Sequence, residues 1–438
     1  MTDRPRRERA RPRPGWIAVW LLLVAALVAL GPPVAAAAGV ASASATATAG
    51  STAGAATAAG AGAAMGGGGA GGKPGLPSPA SLALKELGRL DTAPVKAFID
   101  RIDRELGPGA PLTWQSLRDF IEGRGLLRHP GRLLPALGGL FVGELRKSMG
   151  LLGKLLLLVV LAGVVRQIQG AFEGEVVGRI ADAVVFLALG AICLVGFGLA
   201  VGMARGAIRD LSSFMLALLP AIVGLLASSG AWTAAGLMHP VMVAAIDGVG
   251  LLVREVVFPL ALLGAVLDIT SALSPSFRLT SLAGLLRQVS TGLLGLLFTV
   301  FLGIVAVQGA AGSIADSVAL RTAKYATRAF VPIVGGMLAD MTDLVLTSSL
   351  LLRSGLGLVG LVSVALLVAI PVLKMLALWS IYRLAAALAQ PVGGEAVAQV
   401  LGGVSSALVV LTTAVTVVGL MCFLSLAVLV GAGGAGLR

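Results

Sequence analysis

An all-α, polytopic integral membrane protein is predicted by three features of this 438-residue sequence. Charged residues make up 12% of it and hydrophobic residues 57%, and a soluble domain carries about twice that charge fraction. The mean hydropathy is +0.97, and a soluble chain of this length could not bury so much apolar surface in its own interior. The apolar residues gather in continuous runs of about 20, the length of a membrane-crossing helix, and not in the alternating ten-residue segments of an outer-membrane barrel. The formal net charge is +12. On such a chain a basic excess reports topology and contact with the lipid bilayer, not nucleic acid.

Residues 1–37 read as a signal peptide. A basic stretch from Arg4 to Arg13 leads into the apolar run Trp16–Leu30. Gly31-Pro32-Pro33 then breaks the helix, and Ala35-Ala36-Ala37 supplies small residues for cleavage. The alternative reading is an uncleaved anchor helix. Residues 38–77 are almost entirely Ala, Gly, Ser and Thr, a composition expected of a flexible linker.

Residues 78–150 are expected to form a small extracytoplasmic helical module. "DTAPVKAFIDRIDREL" places Val95, Phe98, Ile99, Ile102 and Leu106 on one helical face, with Lys96, Asp100, Arg101, Asp103 and Arg104 off it. Thr92 can cap this helix, and Pro94 suits its first turn. A second helix is expected after Thr113, with Trp114, Leu117, Phe120 and Ile121 as its stripe. So small a unit packs on the membrane domain or on a partner.

The membrane domain is expected over 151–438, with six to eight transmembrane helices. The runs are Leu151–Ile168, Ile180–Met203, Phe214–Ala234, Val241–Ile269, Leu286–Ala310, Leu356–Leu376 and Ala407–Val430, with shorter or interrupted segments at Val331–Leu352 and Leu376–Ala389. Arg205 and Arg209 are read as one loop, Arg278 as part of another, and Arg321, Lys324 and Arg328 as a third, so positive charge leaves the orientation open.

Charges and breakers inside these runs are the candidate site. Asp247, Arg254 and Glu255 interrupt one run, with Asp247 and Arg254 seven apart and so on one helical face. Asp316 lies near the next run. Arg321, Lys324 and Arg328 form the basic face of an amphipathic surface helix. Pro332 and Gly335-Gly336 interrupt the run that follows, and Asp340 and Asp343 share a face one turn later. A broken or re-entrant segment is expected there, because freed backbone in a membrane must be buried in protein or line a cavity. Pro220, in "PAIVG", is read as a matching breaker to Pro332 in "PIVG". Asp268, Arg287 and Lys374 also lie in or beside apolar runs. Each such charge costs roughly 2.5–3.5 kcal/mol if it faces acyl chains, so each should face protein or water.

No phosphate-binding loop, zinc-protease motif or catalytic set stands out, so neither enzyme, metal nor cofactor is expected. His239 precedes Pro240 and is read as part of a turn. Cys193 and Cys422 lie in separate apolar runs without ligand spacing.

Three stretches carry a family resemblance: "SFMLALLPAIVGLLASSG", "LAGLLRQVSTGLLGLLFTVFLGIVAVQGAAGSIADSVALRTAKYATRAFVPIVGGMLADMTDLVLTSSLLL" and "YRLAAALAQPVG". They closely resemble the stage III sporulation protein AE family of endospore-forming bacteria, from about Leu90 to the C-terminus. The resemblance implies a permease-like membrane subunit of a channel complex between mother cell and forespore, needed for late forespore gene expression. It implies a place in the mother-cell membrane surrounding the forespore. Its implied partners are a cytoplasmic ATPase, ring-forming membrane proteins and a forespore membrane protein across the intermembrane space. The alternative kept beside it is a stand-alone secondary transporter using the intramembrane Asp residues.

Overall fold

A hydrocarbon slab offers the backbone no hydrogen bonds, so chain crossing it must satisfy its own amides, and a helix does this within one segment. The structure, a computed structural model, describes residues 93–106, 133–169, 175–228, 232–273, 279–330 and 335–431, with Leu82 and Lys85; some side chains within these ranges, among them all of 308–347, lie outside that description. Among the described residues all regular structure is helical. The helices are α1 (Ala93–Leu106), α2 (Leu133–Gln169), α3 (Glu175–Ser228), α4 (Trp232–Leu252), a π-turn (Val253–Val257), α5 (Phe258–Leu273), α6 (Thr280–Phe330) and α7 (Gly335–Gly431). They contain six segments long and apolar enough to cross a membrane: Leu137–Val165, Ala183–Ala227, Met242–Ala272, Thr280–Val307, Leu352–Val392 and Glu395–Val430.

The helical run α7 is 97 residues long, and its contacts show that it is folded back on itself. Gly357 lies against Val430, Gly360 against Leu426, and Gly419 against Val368. These pairs step symmetrically about residues 393–394, so two antiparallel arms meet at Pro391-Val392-Gly393-Gly394. Glycine is required at each contact. A Cβ on Gly360 would stand 2.8 Å from Leu218 and 2.9 Å from Leu426. Small residues let helix backbones approach where lipid supplies no hydrophobic drive between helices.

α3 lies antiparallel to the first arm: Gly196 faces the Tyr382 hydroxyl, and Leu218 meets Gly360. On its other side α3 runs antiparallel to α4–α5, through Gly190 with Ile269 and Ile208 with Gly250. α2 packs on α7 and α3 from one flank, and α4, α5 and α6 gather on the opposite flank. The centre is therefore the α7 hairpin with α3: the most apolar stretch of Leu352–Val392 is 72% buried, against 22% for those of the flanking α2 and α6 segments.

Several expectations change. Ile180–Met203 and Phe214–Ala234 do not form two passes, because α3 runs unbroken through Ser228 and at 54 residues is about 80 Å long. Arg205 and Arg209 lie inside it and are exposed, not in a loop. The sequence between the two runs, "ARGAIRDLSS", contains no Pro, so nothing in it ends the helix. Pro220 is likewise inside α3, its missing N–H accommodated as membrane helices allow. His239 and Pro240 lie within α4, not in a turn. Leu356–Leu376 and Leu376–Ala389 are one segment. The boundary expected at 150–151 falls inside α2. The signal peptide, the linker and the second module helix lie outside the described residues.

If the hairpin rests on these glycine contacts, Gly419→Leu should destabilise the protein by about 1–3 kcal/mol through overpacking. Gly198→Leu should change stability by no more than about 0.5 kcal/mol, since a Cβ at exposed Gly198 meets nothing within 4 Å. Thermal unfolding of the two variants in one detergent checks this difference.

Candidate functional site

The polar groups of the membrane helices fall into distinct sets. On α5, Asp268 is 5% exposed and forms an ion pair with Arg287 of α6. The two helices are consecutive in the chain and pack on each other. Gly403, in the second arm of α7, lies directly against the Asp268 side chain, and the stem of Arg287 passes beside Gly264. One carboxylate thus ties together α5, α6 and α7. Removing Arg287 would leave the buried Asp268 charge uncompensated.

Arg353 in the first arm of α7 is 2% exposed. Its Nη2 donates to the Leu429 carbonyl of the second arm, so a side chain as well as glycine contacts joins the arms near their open end. Its Nε has no partner among the described residues. Several buried hydroxyls in the same bundle are satisfied within their own helices: Ser290 donates to the Leu286 carbonyl, Thr412 to Leu408 and Ser425 to Met421; among the described residues Ser363 Oγ and Tyr382 Oη have no partner. Such back-bonding removes the cost of an unpaired donor in a dry interior.

Asp247, Arg254 and Glu255 stand around the π-turn. Asp247 and Glu255 are exposed and Arg254 is half-buried. The Arg254 Nε donates to the Gly250 carbonyl at 3.0 Å. Among the described residues no ion pair links Asp247 and Arg254, although they were expected to share a face. Seven residues place them two turns, about 10 Å, apart along the helix axis, and the Arg254 side chain bonds to its own helix instead.

α1 docks on this bundle. Val95 and Ile99 are fully buried and Ile102 is 1% exposed, as the sequence stripe anticipates. Phe98 meets Phe214 of α3 edge-on at 5.6 Å. Arg101 pairs with Asp210 of α3 at 3.1 Å, and Glu105 with Lys374 of α7 at 3.1 Å. These pairs are partly exposed and contribute about 0–1 kcal/mol each; the buried apolar stripe holds α1 and the pairs fix its register.

Asp316, Arg321, Lys324 and Arg328 fall within α6, and Asp340 and Asp343 within α7, but their side chains lie outside the description. Pro332 lies outside it too, between the end of α6 at Phe330 and the start of α7 at Gly335. Gly335 and Gly336 open α7. Sequence reasoning named Asp268 and Arg287 as charges that should face protein or water without pairing them, and it did not single out Arg353. Their signal was only the presence of charge in apolar runs, since the pairing depends on the register of packed helices.

A family model described as stage III sporulation protein AE matches residues 114–433. A curated relative, stage III sporulation protein AE of Bacillus subtilis (strain 168), is 37% identical over 353 residues, covering 80% of this chain and 88% of the relative. No solved structure matches this chain.

Arg287→Leu alone should cost about 3–5 kcal/mol, because it leaves Asp268 buried and unpaired. Asp268→Leu with Arg287→Leu should recover most of that loss. A double-mutant cycle on thermal unfolding reads the coupling; additive losses would show that the pair does not act as a unit.

Proposed function

The chain belongs to the stage III sporulation protein AE family, and on that premise we propose that it is a permease-like membrane subunit of the sporulation channel complex linking mother cell and forespore. The observation that carries the reading is the 37% identity maintained along 80% of the chain with a sporulation protein. In this reading the protein lies in the mother-cell membrane surrounding the forespore. It assembles with a cytoplasmic ATPase and ring-forming membrane proteins and meets a forespore membrane partner across the intermembrane space. It contributes a conduit that supports forespore development and late forespore gene expression, while energy comes from its partners. The docked α1 helix favours assembly, because a self-contained carrier has little use for an added element that is not itself a candidate span and packs on α3 and α7. Asp340 and Asp343, after Pro332, are the residues proposed to line the path.

A second reading, a stand-alone secondary transporter of a small solute or ion, is favoured by one observation: a carboxylate, Asp268, is buried inside a candidate span, where ionisable groups are often functional. Purified protein in sealed vesicles separates the two, since a transporter moves solute without partners.

Deletion in the sporulating host should stop forespore gene expression after engulfment. Asp340→Asn and Asp343→Asn should each lower that expression while the protein still accumulates. Normal expression in both Asn variants would remove the path-lining role and leave a scaffold. Normal spores from the deletion strain would contradict the proposal as a whole.

A further inference from the structure

The two flanks of the bundle carry complementary stripes at matching heights. On α2 the outward stripe includes Val142, Arg146 and Leu157; on the opposite flank the π-turn and the helices beside it present Leu251, Glu255 and Val266. Val142 is 54% exposed, Leu251 57% and Leu157 67%. Among the described residues neither Arg146 nor Glu255 has an ion-pair partner.

The heights follow from the helix contacts already described. Gly163 of α2 rests on the Val392 carbonyl. α2 and α3 are consecutive packed neighbours, and α3 runs antiparallel to the first arm of α7, so α2 runs parallel to that arm. Equal steps back from Gly163 and Val392 bring Arg146 level with Met375. The Gly196–Tyr382 contact carries that height to Met203 of α3, and the Ile208–Gly250 contact carries it to Glu255. By the same steps Val142 is level with Leu251 and Leu157 with Val266. Arg146 therefore matches Glu255 in height, with apolar residues matched on either side.

Copies related by rotation about the membrane normal keep every residue at its own depth. A heterologous contact between such copies places one flank of the first against the other flank of the second. We propose that this protein associates head to tail with a second copy of itself, the α2 stripe of one docking on the α4–α5 stripe of the next, with Arg146 opposite Glu255. Open glycines strengthen the fit: a Cβ at Gly139, Gly150 or Gly153 of α2 meets nothing within 4 Å, which leaves a shallow face for a neighbouring helix. The contact stands on the helix register and does not depend on the channel reading.

The test uses the full chain in liposomes with Cys193→Ala and Cys422→Ala as background. Val142→Cys and Leu251→Cys in one chain should give a ladder of disulfide-linked multimers on mild oxidation. Chains carrying Val142→Cys alone, mixed with chains carrying Leu251→Cys alone, should give only the mixed dimer. Arg146→Glu or Glu255→Arg singly should lower the cross-linked fraction about tenfold through like-charge juxtaposition, and the two together should restore it. Monomer throughout, dimers linked through two copies of residue 142 or two of 251, or no recovery in the charge-swapped double variant would overturn the proposal.

Discussion

Close backbone contact between the two arms of α7 is the constraint on which the rest of the bundle depends. Gly357, Gly360 and Gly419 have no side chain where Val430, Leu426 and Val368 press in. In lipid there is no hydrophobic force to drive the arms together, so dispersion and close fit must do it. Gly360 also receives Leu218 of α3, so the same missing side chain seats the next helix. From that contact the height of α3 is set, and α3 in turn sets the height of α4 and α5. A single register thus passes through the molecule from a few glycines.

That register determines which charges meet. Asp268 and Arg287 belong to consecutive helices and would be isolated costs if either helix slid by half a turn. With the heights as they are, the carboxylate lies against Gly403 and pairs with the guanidinium. Arg353 is treated differently: it has a backbone carbonyl, that of Leu429, as acceptor across the hairpin. Both arrangements place a charge inside protein instead of against acyl chains, which is the general condition for keeping it in a membrane helix. The clamp of α1 follows the same logic at lower stakes, since its two ion pairs are partly exposed and its apolar stripe does most of the holding.

The sequence made the class and much of the local structure legible. Low charge and long apolar runs indicated membrane helices, and the spacing of Val95, Ile99 and Ile102 indicated the buried face of α1. The stretches around Pro220, from Leu282 to Leu352 and from Tyr382 to Gly393 indicated the family. Hydropathy did not reveal that the runs on either side of Arg205 and Arg209 share one helix, because a polar patch inside a long helix looks the same in one dimension as a loop. Nor could it reveal the Asp268–Arg287 pair or the seat of Arg353, since each depends on three-dimensional register. Glycine abundance was visible, but only packing distinguishes Gly360, against which two leucines press, from Gly198, which faces open space.

The central claim is that residues 335–431 fold back about Pro391–Gly394 as an antiparallel hairpin. Spin labels at Ser354→Cys and Val428→Cys, in chains with Cys193→Ala and Cys422→Ala, test it by dipolar distance measurement. Neighbouring antiparallel arms predict a single distribution on the order of 10–25 Å, set by the spacing of packed helices and the label linkers. A continuous straight helix would separate the labelled positions by about 110 Å, and the absence of any short distance would contradict the account.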